Sequence, residues 1–403
     1  MADAAPAKRA CPVCGGRDVR VLFRQRFEAV PGASLHAGYD VVVCVFCGCG
    51  YADGIPEQAA FDAYYRDLSK YEYHQRDGEE STFDRSRLEI IASIIRDRVP
   101  ADGTRVLDVG CSNGSLLSAL RTRGFADVTG LDPAPACAVA ARRLYDLRVL
   151  TGTIADLPKV EERFDLIILV GVLEHVRELR EALGLIRGVL NPAGRVYVEV
   201  PDALRFTDWT NAPFQDFSTE HINFFSPTSL RNLMAVNGFT ELYSVQNARE
   251  QSFGTTMSNV SAIFQLVPAI ALAIEPDGDS SAALQRYIDA CEAMERGLRE
   301  TMTALADTKR PILVWGVGTH TQRLLATTAL AEANIIAFVD SNLKFHGKQL
   351  HGAPIIAPDA LRGHPEPILI ASHVFQQEIE SQIRSALRLP NEIIRLYEVH
   401  AKR

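Results

Sequence analysis

Short apolar runs alternate with amphipathic stretches over residues 100–270. The runs at 105–109, 164–170 and 194–200 have the length of buried strands, and the first two lead through polar turns into helical patterns. This alternation predicts an α/β fold with a largely parallel sheet. Residues 310–403 repeat the alternation at a smaller scale.

A turn-rich break at 275–281 (EPDGDSS) separates these two blocks. The apolar positions that follow it recur at steps of three and four: Leu284, Ile288, Cys291, Met294, Leu298, Met302 and Leu305. They predict an amphipathic linker helix packed between domains. A coiled-coil dimer seam is the alternative, although the run is short of the several heptads that such a seam needs. We therefore expect three domains, at residues 1–80, 81–275 and 276–403.

Composition narrows the class of protein. The 403 residues carry a net charge of -8, which disfavours a nucleic-acid binder. The opening MADAAPAKRA has no apolar region typical of a signal peptide. The longest apolar stretch, 262–274, contains Gln265 and Pro268 and is too short to span a bilayer. We expect a cytoplasmic protein without membrane contact, whose eight cysteines stay reduced.

Two Cys-x-x-Cys pairs lie in the first block, CPVC at Cys11 and Cys14 and CVFC at Cys44 and Cys47. Each pair can direct two thiolates at one tetrahedral ion, and four thiolates favour structural Zn²⁺. The long gap between the pairs predicts a small hairpin around residues 39–43. A redox dithiol and a catalytic zinc are weaker alternatives, because four cysteines leave no open coordination position. Cys49 is a spare.

The second block begins with the pattern expected of a nucleotide-type cofactor site. The strand at 105–109 leads at once into the glycine-rich turn at 110–114 and then into a helix. Glycine suits a backbone that passes close to a ligand. A second strand ends in Asp132, which lies 22 residues after Gly110, as expected of an acidic residue that holds a ribose.

Further segments keep the order of such a domain. GTIADLP stands where a third strand should end, and its Asp156 can accept a hydrogen bond from an adenine amine. The strand FDLIILV precedes LEHV, and GRVYVEV forms a fifth strand. His175 in LEHV could act as a base, but a structural role in shaping the loop beside the cofactor is the preferred interpretation.

VLDVGCSNG, GLDP, GTIADLP, FDLIILVGVLEHV and GRVYVEVP together resemble class I S-adenosylmethionine (SAM)-dependent methyltransferases. The resemblance covers about residues 100–245 and implies a Rossmann-like methyltransferase core. It also implies that the turn holds the methionine end of SAM. The SAM-binding residues that the resemblance implies are Asp108, Gly110, Asn113, Asp132, Asp156 and Leu157.

A long connection, 201–225, leaves the fifth strand at the edge where ligands bind in open α/β sheets. It ends in Ser-Thr-Glu-His-Ile-Asn-Phe-Phe, with aromatic residues around Glu220 and His221. We interpret His221 as a candidate general base oriented by Glu220. The alternative is that His221 orients the loop before a helix that begins near Ser226 and Pro227.

The whole arrangement resembles the deoxysugar C-methyltransferases: paired cysteines, a SAM domain with Glu-His before aromatic residues, and a C-terminal Rossmann-like domain. The resemblance implies that His221 removes the proton α to a sugar ketone in a nucleotide sugar. Ser218 and Thr219 stand where that family carries tyrosine and histidine, so O- and N-methylation stay open. O-methylation of a glycan or small metabolite is the first alternative, and a macromolecule methyltransferase with a zinc recognition module is the second. Tyr71 and Tyr73 are candidate substrate neighbours or packing residues.

The third block opens with a strand at 311–315, the turn Gly316-Val-Gly318 and a helix. The third glycine of a dinucleotide fingerprint is replaced by Thr321, so the motif alone is weak. Binding of NAD, binding of the nucleotide or phosphate end of a substrate, and a packing role are the three alternatives. The family resemblance implies the second, with His320 and Arg323 as candidate anion contacts.

Overall fold

A computed structural model describes residues 5–68, 82–252, 255–268 and 273–397. Three sheets organise these residues, and each contains the strands of one block of the sequence, apart from one short strand that joins the first sheet from the second block. Tyr71 and Tyr73 lie outside the described residues. Among the helices that are described, none has the length and apolar content to cross a membrane.

The first sheet is antiparallel and has the order β1-β2-β3-β4-β10. Its strands are β1 (Ala5–Pro6), β2 (Asp18–Arg26), β3 (Gly38–Cys44), β4 (Gly50–Asp53) and β10 (Asn223–Phe224). The hairpin predicted around 39–43 is present and is longer than expected, since β2 pairs with β3 from Val19 to Arg26. The edge strand β10 comes from the long connection after the fifth strand of the central sheet, so that connection is fixed to the first block.

The second sheet has seven strands in the order β11-β12-β9-β8-β5-β6-β7. They are β5 (Arg105–Val109), β6 (Asp127–Asp132), β7 (Arg148–Thr151), β8 (Phe164–Val170), β9 (Leu190–Pro201), β11 (Phe239–Ser252) and β12 (Thr255–Leu266). The first five are parallel, as their apolar runs predict, and β11 and β12 are antiparallel additions. This is the α/β Rossmann-like core expected of class I methyltransferases.

Helix α1 (Gln58–Leu68) buries Phe61 in the core of the first sheet, and the first helix beside the second sheet is α2 (Thr82–Arg96). The others are α3 (Ser115–Arg121), α4 (Pro135–Tyr145), α5 (Leu179–Val189) and α6 (Pro227–Val236). Ser226 caps α6 as the sequence predicts, because its Oγ accepts from the Ser229 amide at 2.9 Å and Pro227 takes the first helical position.

The third sheet has the order β15-β16-β14-β13-β17-β18 and is parallel except for β15. Its strands are β13 (Ile312–Trp315), β14 (Ile335–Val339), β15 (Gln349–Leu350), β16 (Ala353–Ile356), β17 (Ile368–Ile370) and β18 (Ile393–Arg395). The helices α8 (Thr319–Thr327) and α9 (Gln376–Ser381) accompany it. The predicted Rossmann-like C-terminal domain is therefore present.

The predicted linker helix is α7 (Ser280–Thr308). Its first half packs Leu284, Ile288 and Cys291 into a core shared with the first sheet and the long connection. Its second half packs Leu298 and Met302 into the core of the third sheet. The apolar face is therefore buried within this chain, which confirms a helix packed between domains and leaves little of that face for a dimer seam.

Candidate active site and cysteine cluster

The glycine-rich turn after β5 has the conformation that its sequence requires. Gly110 has φ +73 and Gly114 has φ +82, which side chains with a Cβ rarely adopt. The Gly110 amide donates to the Leu131 carbonyl at 2.7 Å, which fixes the turn against β6. A Cβ on Gly110 would come within 3.0 Å of the Val172 side chain. The turn therefore leaves a narrow space between β5 and the loop after β8.

Asp132 ends β6 beside this turn and is 6% exposed. Its two carboxylate oxygens accept from the amides of Ser112, at 2.8 Å, and Ala134, at 2.9 Å. Each oxygen can accept a second hydrogen bond, so the prediction that Asp132 holds a ribose is compatible with these contacts. Asp108 is buried nearby, and burial, with the Asp132 charge, raises the pKa of its carboxyl well above the usual range.

Asn113 is 5% exposed and faces the interior of the turn. Its Oδ1 accepts from the Ser115 hydroxyl at 2.7 Å. Its Nδ2 is buried without a hydrogen-bond partner among the residues that the structure describes. A buried donor that lacks a partner costs free energy, so Asn113 is suited to meet an acceptor on a bound molecule.

The segment after β7 carries the two remaining predicted cofactor residues. Leu157 is fully buried. Asp156 forms a capping box with Thr153, and its other carboxylate oxygen pairs with Lys159 at 2.6 Å. The Lys159 ammonium and the Thr153 amide lower the pKa of the Asp156 carboxyl. Asp156 therefore stabilises the turn, and its contact with adenine stays a prediction.

His221 lies beside a second histidine at the carboxyl edge of the central sheet. The rings of His221 and His175 are 4.9 Å apart and meet edge to face. One ligand atom each from Glu174, His175 and His221 lies within 4.8 Å of the other two. The structure thus unites the predicted base with LEHV, a segment that lies more than 40 positions earlier in the sequence.

Glu220 contacts the first block through its side chain. Its Oε1 accepts from the Tyr64 hydroxyl at 3.2 Å, and its backbone carbonyl lies 3.0 Å from Nδ1 of His175. The carboxylate grouped with the two histidines is that of Glu174. The prediction that Glu220 orients His221 stays a prediction.

Three residues of this site were missed by the sequence analysis: Tyr64, Tyr65 and Glu174. The Tyr65 hydroxyl lies 2.9 Å from Nδ1 of His175. Glu174 is 3% exposed, and burial raises the pKa of its carboxyl to about 8. A charged residue inside the apolar LEHV segment was the available signal for Glu174, whereas nothing local related Tyr64 or Tyr65 to a histidine more than 100 residues away.

The loop that carries Glu220 and His221 is held by the first sheet and by its own turn. The Ser218 hydroxyl accepts from the amides of Glu220, at 3.3 Å, and His221, at 3.1 Å. The Tyr39 hydroxyl on β3 donates to the Ser218 carbonyl at 2.9 Å. The first block therefore helps to position the candidate base, although it lies far away in sequence.

The four predicted metal ligands form one cluster. Cys11, Cys14, Cys44 and Cys47 place their sulfur atoms within 4.8 Å of one another. The Cys11–Cys47 and Cys14–Cys44 sulfur atoms are 3.5 and 3.4 Å apart. A tetrahedral ion with bonds of about 2.3 Å would set such distances at about 3.8 Å. The cluster thus nearly has the spacing of a thiolate zinc site, and Cys49 is buried outside it.

The C-terminal block contradicts one prediction and restricts another. The prediction that Arg323 contacts an anion is wrong: its guanidinium is buried, forms an ion pair with Glu295, and stacks 3.9 Å from the Phe214 ring centroid. This arginine consequently joins α8, α7 and the long connection.

His320 lies 2.6 Å from the Tyr397 hydroxyl, and burial, with the Arg323 charge, lowers its pKa to about 4. At neutral pH His320 is therefore an uncharged imidazole.

An open cleft of about 500 Å³ separates the first block from the third. It is lined by residues 32–35 and by Ala60, Ala63, Tyr64, Asp67, Lys344 and Lys348. Tyr64 also donates to Glu220. One wall of the cleft thus reaches the loop that carries the candidate base.

Comparisons with known proteins show what two segments of the chain are similar to. A family model described as a methyltransferase domain matches residues 83–244, and one described as C2185-like, N-terminal matches residues 308–394. A ubiquinone biosynthesis O-methyltransferase from Azorhizobium caulinodans is 38% identical over 104 residues, which are 25% of this chain and 41% of that protein. The chain thus spans about two fifths of the length of that relative.

The C-methyltransferase NovU from Streptomyces niveus is 24% identical over 290 residues, which are 69% of this chain and 68% of that protein. A Burkholderia thailandensis 1,6-didemethyltoxoflavin-N1-methyltransferase structure aligns with a TM-score of 0.42 and 19% identity, over 56% of this chain and 98% of that one. The matched segment 83–244 contains the glycine-rich turn, Asp132 and LEHV. Residues 83–244 are therefore a methyltransferase domain.

Proposed function

We propose that this chain transfers a methyl group from SAM to a carbon of a nucleotide-activated ketosugar, with His221 as the general base. The observation that carries the proposal is the position of His221. It lies at the carboxyl edge of the sheet, beside His175 and on a loop held by Ser218. Ligands of open α/β sheets bind at this edge.

The turn after β5 fits the methionine end of SAM. Gly110 leaves the backbone open to close approach, and Asn113 has a buried donor without a partner among the described residues. Asp132 would accept from the ribose hydroxyls. When bound, SAM supplies the electrophilic methyl group and leaves as S-adenosylhomocysteine.

In this reaction the protein must remove a proton from the carbon next to the sugar ketone. His221 would accept that proton, and the electron pair of the broken C–H bond would remain on the sugar as an enolate. A base must lie within hydrogen-bond reach of its proton. The contacts of Ser218 with the loop hold His221 in place for this step.

We place the nucleotide end of the proposed substrate in the cleft between the first and third blocks, and the charges of the cleft support this placement. Lys344 and Lys348 line one side of it and would attract phosphate groups, while Asp67 adds one negative charge on the other side. Tyr64 links this cleft to Glu220. A substrate with its phosphates near the lysines would therefore extend its sugar toward His221.

We also propose that Cys11, Cys14, Cys44 and Cys47 bind one structural Zn²⁺. The support is the spacing of the four sulfur atoms and the burial of three of the four cysteines, Cys11, Cys44 and Cys47. Four protein ligands leave no open position on such an ion, so its contribution is to folding.

The proton-removal step can be measured without methyl transfer. In D₂O with S-adenosylhomocysteine in place of SAM, we expect deuterium to enter the α-carbon of a nucleotide ketosugar, detected by mass spectrometry. His221→Asn should slow this exchange by at least about 100-fold, whereas His364→Asn, which lies after the helical turn Pro358–Gly363 of the third block, should leave it unchanged. Exchange that persists in His221→Asn would contradict the role of this base. Methyl transfer to oxygen without exchange would favour the O-methyltransferase alternative.

A further inference from the structure

We propose that Glu174, His175 and His221 bind a second divalent transition-metal ion, separate from the cysteine cluster. We further propose that this ion and the catalytic proton compete for His221. The competition rests on the proposed function, whereas the metal site itself does not. The two histidines and the carboxylate belong to two segments that the fold brings together at the carboxyl edge of the central sheet.

The distances allow one ion to reach all three side chains. The ligand atoms lie within 4.8 Å of one another, and Oε1 of Glu174 is 4.0 Å from Nε2 of His175. A tetrahedral ion with bonds of about 2.1 Å would hold its ligand atoms about 3.4 Å apart. Side-chain rotations that move each atom by less than about 1 Å would close this difference, so the backbone can stay where it is.

The ligand types suit a site that keeps an open coordination position. Two imidazoles and one carboxylate are a ligand set of catalytic zinc and of non-haem iron, and three protein ligands leave room for water or substrate. The cysteine cluster differs because four sulfur ligands close its coordination sphere. The ion of the open site should therefore exchange faster than that of the cysteine cluster, and small chelators should reach it more easily.

His175 is already oriented as a ligand. Its Nδ1 lies 3.0 Å from the Glu220 carbonyl oxygen, which can only accept, and 2.9 Å from the Tyr65 hydroxyl, which can also accept, so a proton on Nδ1 satisfies both contacts. The lone pair is consequently on Nε2, the atom that faces Glu174. Metal-binding histidines almost always donate their other N–H to a carbonyl or carboxylate in this way.

Glu174 gives a second, independent indication. The side chain is 3% exposed, and its Oε2 has no hydrogen-bond partner among the described residues. A buried carboxyl group without a partner is costly whether it is neutral or charged. A divalent ion bound by both oxygens of this carboxylate would supply the missing partner of Oε2 and compensate the charge.

Metal binding and proton removal need the same electron pair. A neutral imidazole has one basic nitrogen, so His221 cannot accept the α-proton while that nitrogen holds an ion. Zinc should therefore inhibit deuterium exchange in a saturable manner. A chelator too weak to strip the cysteine cluster should restore the exchange.

Zinc content and calorimetry test the site without any substrate. After equilibration with Zn²⁺, the full-length protein should hold two ions per chain by elemental analysis. Glu174→Gln and His221→Asn should hold one, or bind the second at least 10-fold more weakly, while His364→Asn should hold two. His221 is partly exposed, so its variant gives an answer even where Glu174→Gln fails to fold.

The proposal would be overturned if Glu174→Gln and His221→Asn both held as much zinc per chain as the unmodified protein, and with the same affinity. Inhibition by zinc that persists unchanged in Glu174→Gln would overturn the competition at His221. The failure of the proposed function looks different. In that case the protein would bind the second ion normally, but with that second site empty it would still exchange no α-proton.

Discussion

Replacing Gly110 by alanine adds one methyl group at the proposed cofactor site and thereby tests it. Gly110 has φ +73, and an added Cβ would lie 3.0 Å from the Val172 side chain. Val172 precedes the turn that carries Glu174 and His175. The substitution therefore narrows the space in which the turn after β5 would receive the methionine end of SAM.

Gly110→Ala should lower both the folding stability and the cofactor affinity, and a matched variant separates the two effects. A residue with a Cβ in the left-handed region costs about 1–2 kcal/mol of folding free energy. Gly103 has φ +69 and open space where an alanine methyl group would lie, so Gly103→Ala isolates this backbone cost. Gly110→Ala should lose a similar amount of stability and, in addition, should raise the Kd for S-adenosylhomocysteine about 10-fold, or about 1.4 kcal/mol.

Urea unfolding and isothermal titration calorimetry with S-adenosylhomocysteine measure the two parts. Gly103→Ala should bind the ligand with the affinity of the unmodified protein, because its site lies in the loop before β5. If Gly110→Ala also keeps that affinity while losing stability, the cofactor does not approach this turn, and the assigned site is wrong.

Two further predictions concern the packing between blocks and the dependence of stability on pH. Gly48→Ala should cost more than about 3 kcal/mol in urea unfolding, because its Cβ would lie 2.0 Å from the Asp277 carbonyl oxygen, in addition to the cost of φ +77. Asp216 is buried, and burial raises the pKa of its carboxyl to about 7 from an ordinary 3.8. Because the folded-state pKa is the higher one, its contribution to stability is complete below about pH 4 and is lost as the pH rises through about 7. At about 1.4 kcal/mol per pH unit, the total loss is about 4 kcal/mol, and Asp216→Asn should remove this part of the pH dependence between pH 5 and pH 7.5.

The predictions for Gly48→Ala and Asp216→Asn each have an outcome that would contradict them. Gly32 has φ +67 with nothing near the position of an added Cβ, so Gly32→Ala should lose only about 1–2 kcal/mol. Equal losses in the Gly48 and Gly32 variants would mean that the CVFC turn does not press against the segment before α7. A stability difference between the two pH values that is the same in Asp216→Asn and the unmodified protein would mean that Asp216 ionises normally in the folded state.

The sequence by itself determined the features that depend on near neighbours. The turn at 110–114 could be predicted because left-handed backbone favours glycine, and Asp132 because it follows a strand that pairs with β5. The two Cys-x-x-Cys pairs were sufficient to predict the cluster of four sulfur atoms that the structure contains. The repeat of apolar positions at helical spacing predicted α7. In each case a short motif, or a regular spacing of apolar positions along one helix, carries the information.

Only the tertiary structure decided which distant side chains meet. Tyr65 contacts His175 across 110 residues, and His175 meets His221 across 46. Arg323 resembled a surface anion contact in the sequence, yet the fold buries it against Glu295 on α7. Strand periodicity and turn chemistry act over a few residues, whereas such pairings follow from how whole layers pack. The pairing of β10 with β4, which brings the loop of His221 to the first sheet, is one such contact between layers.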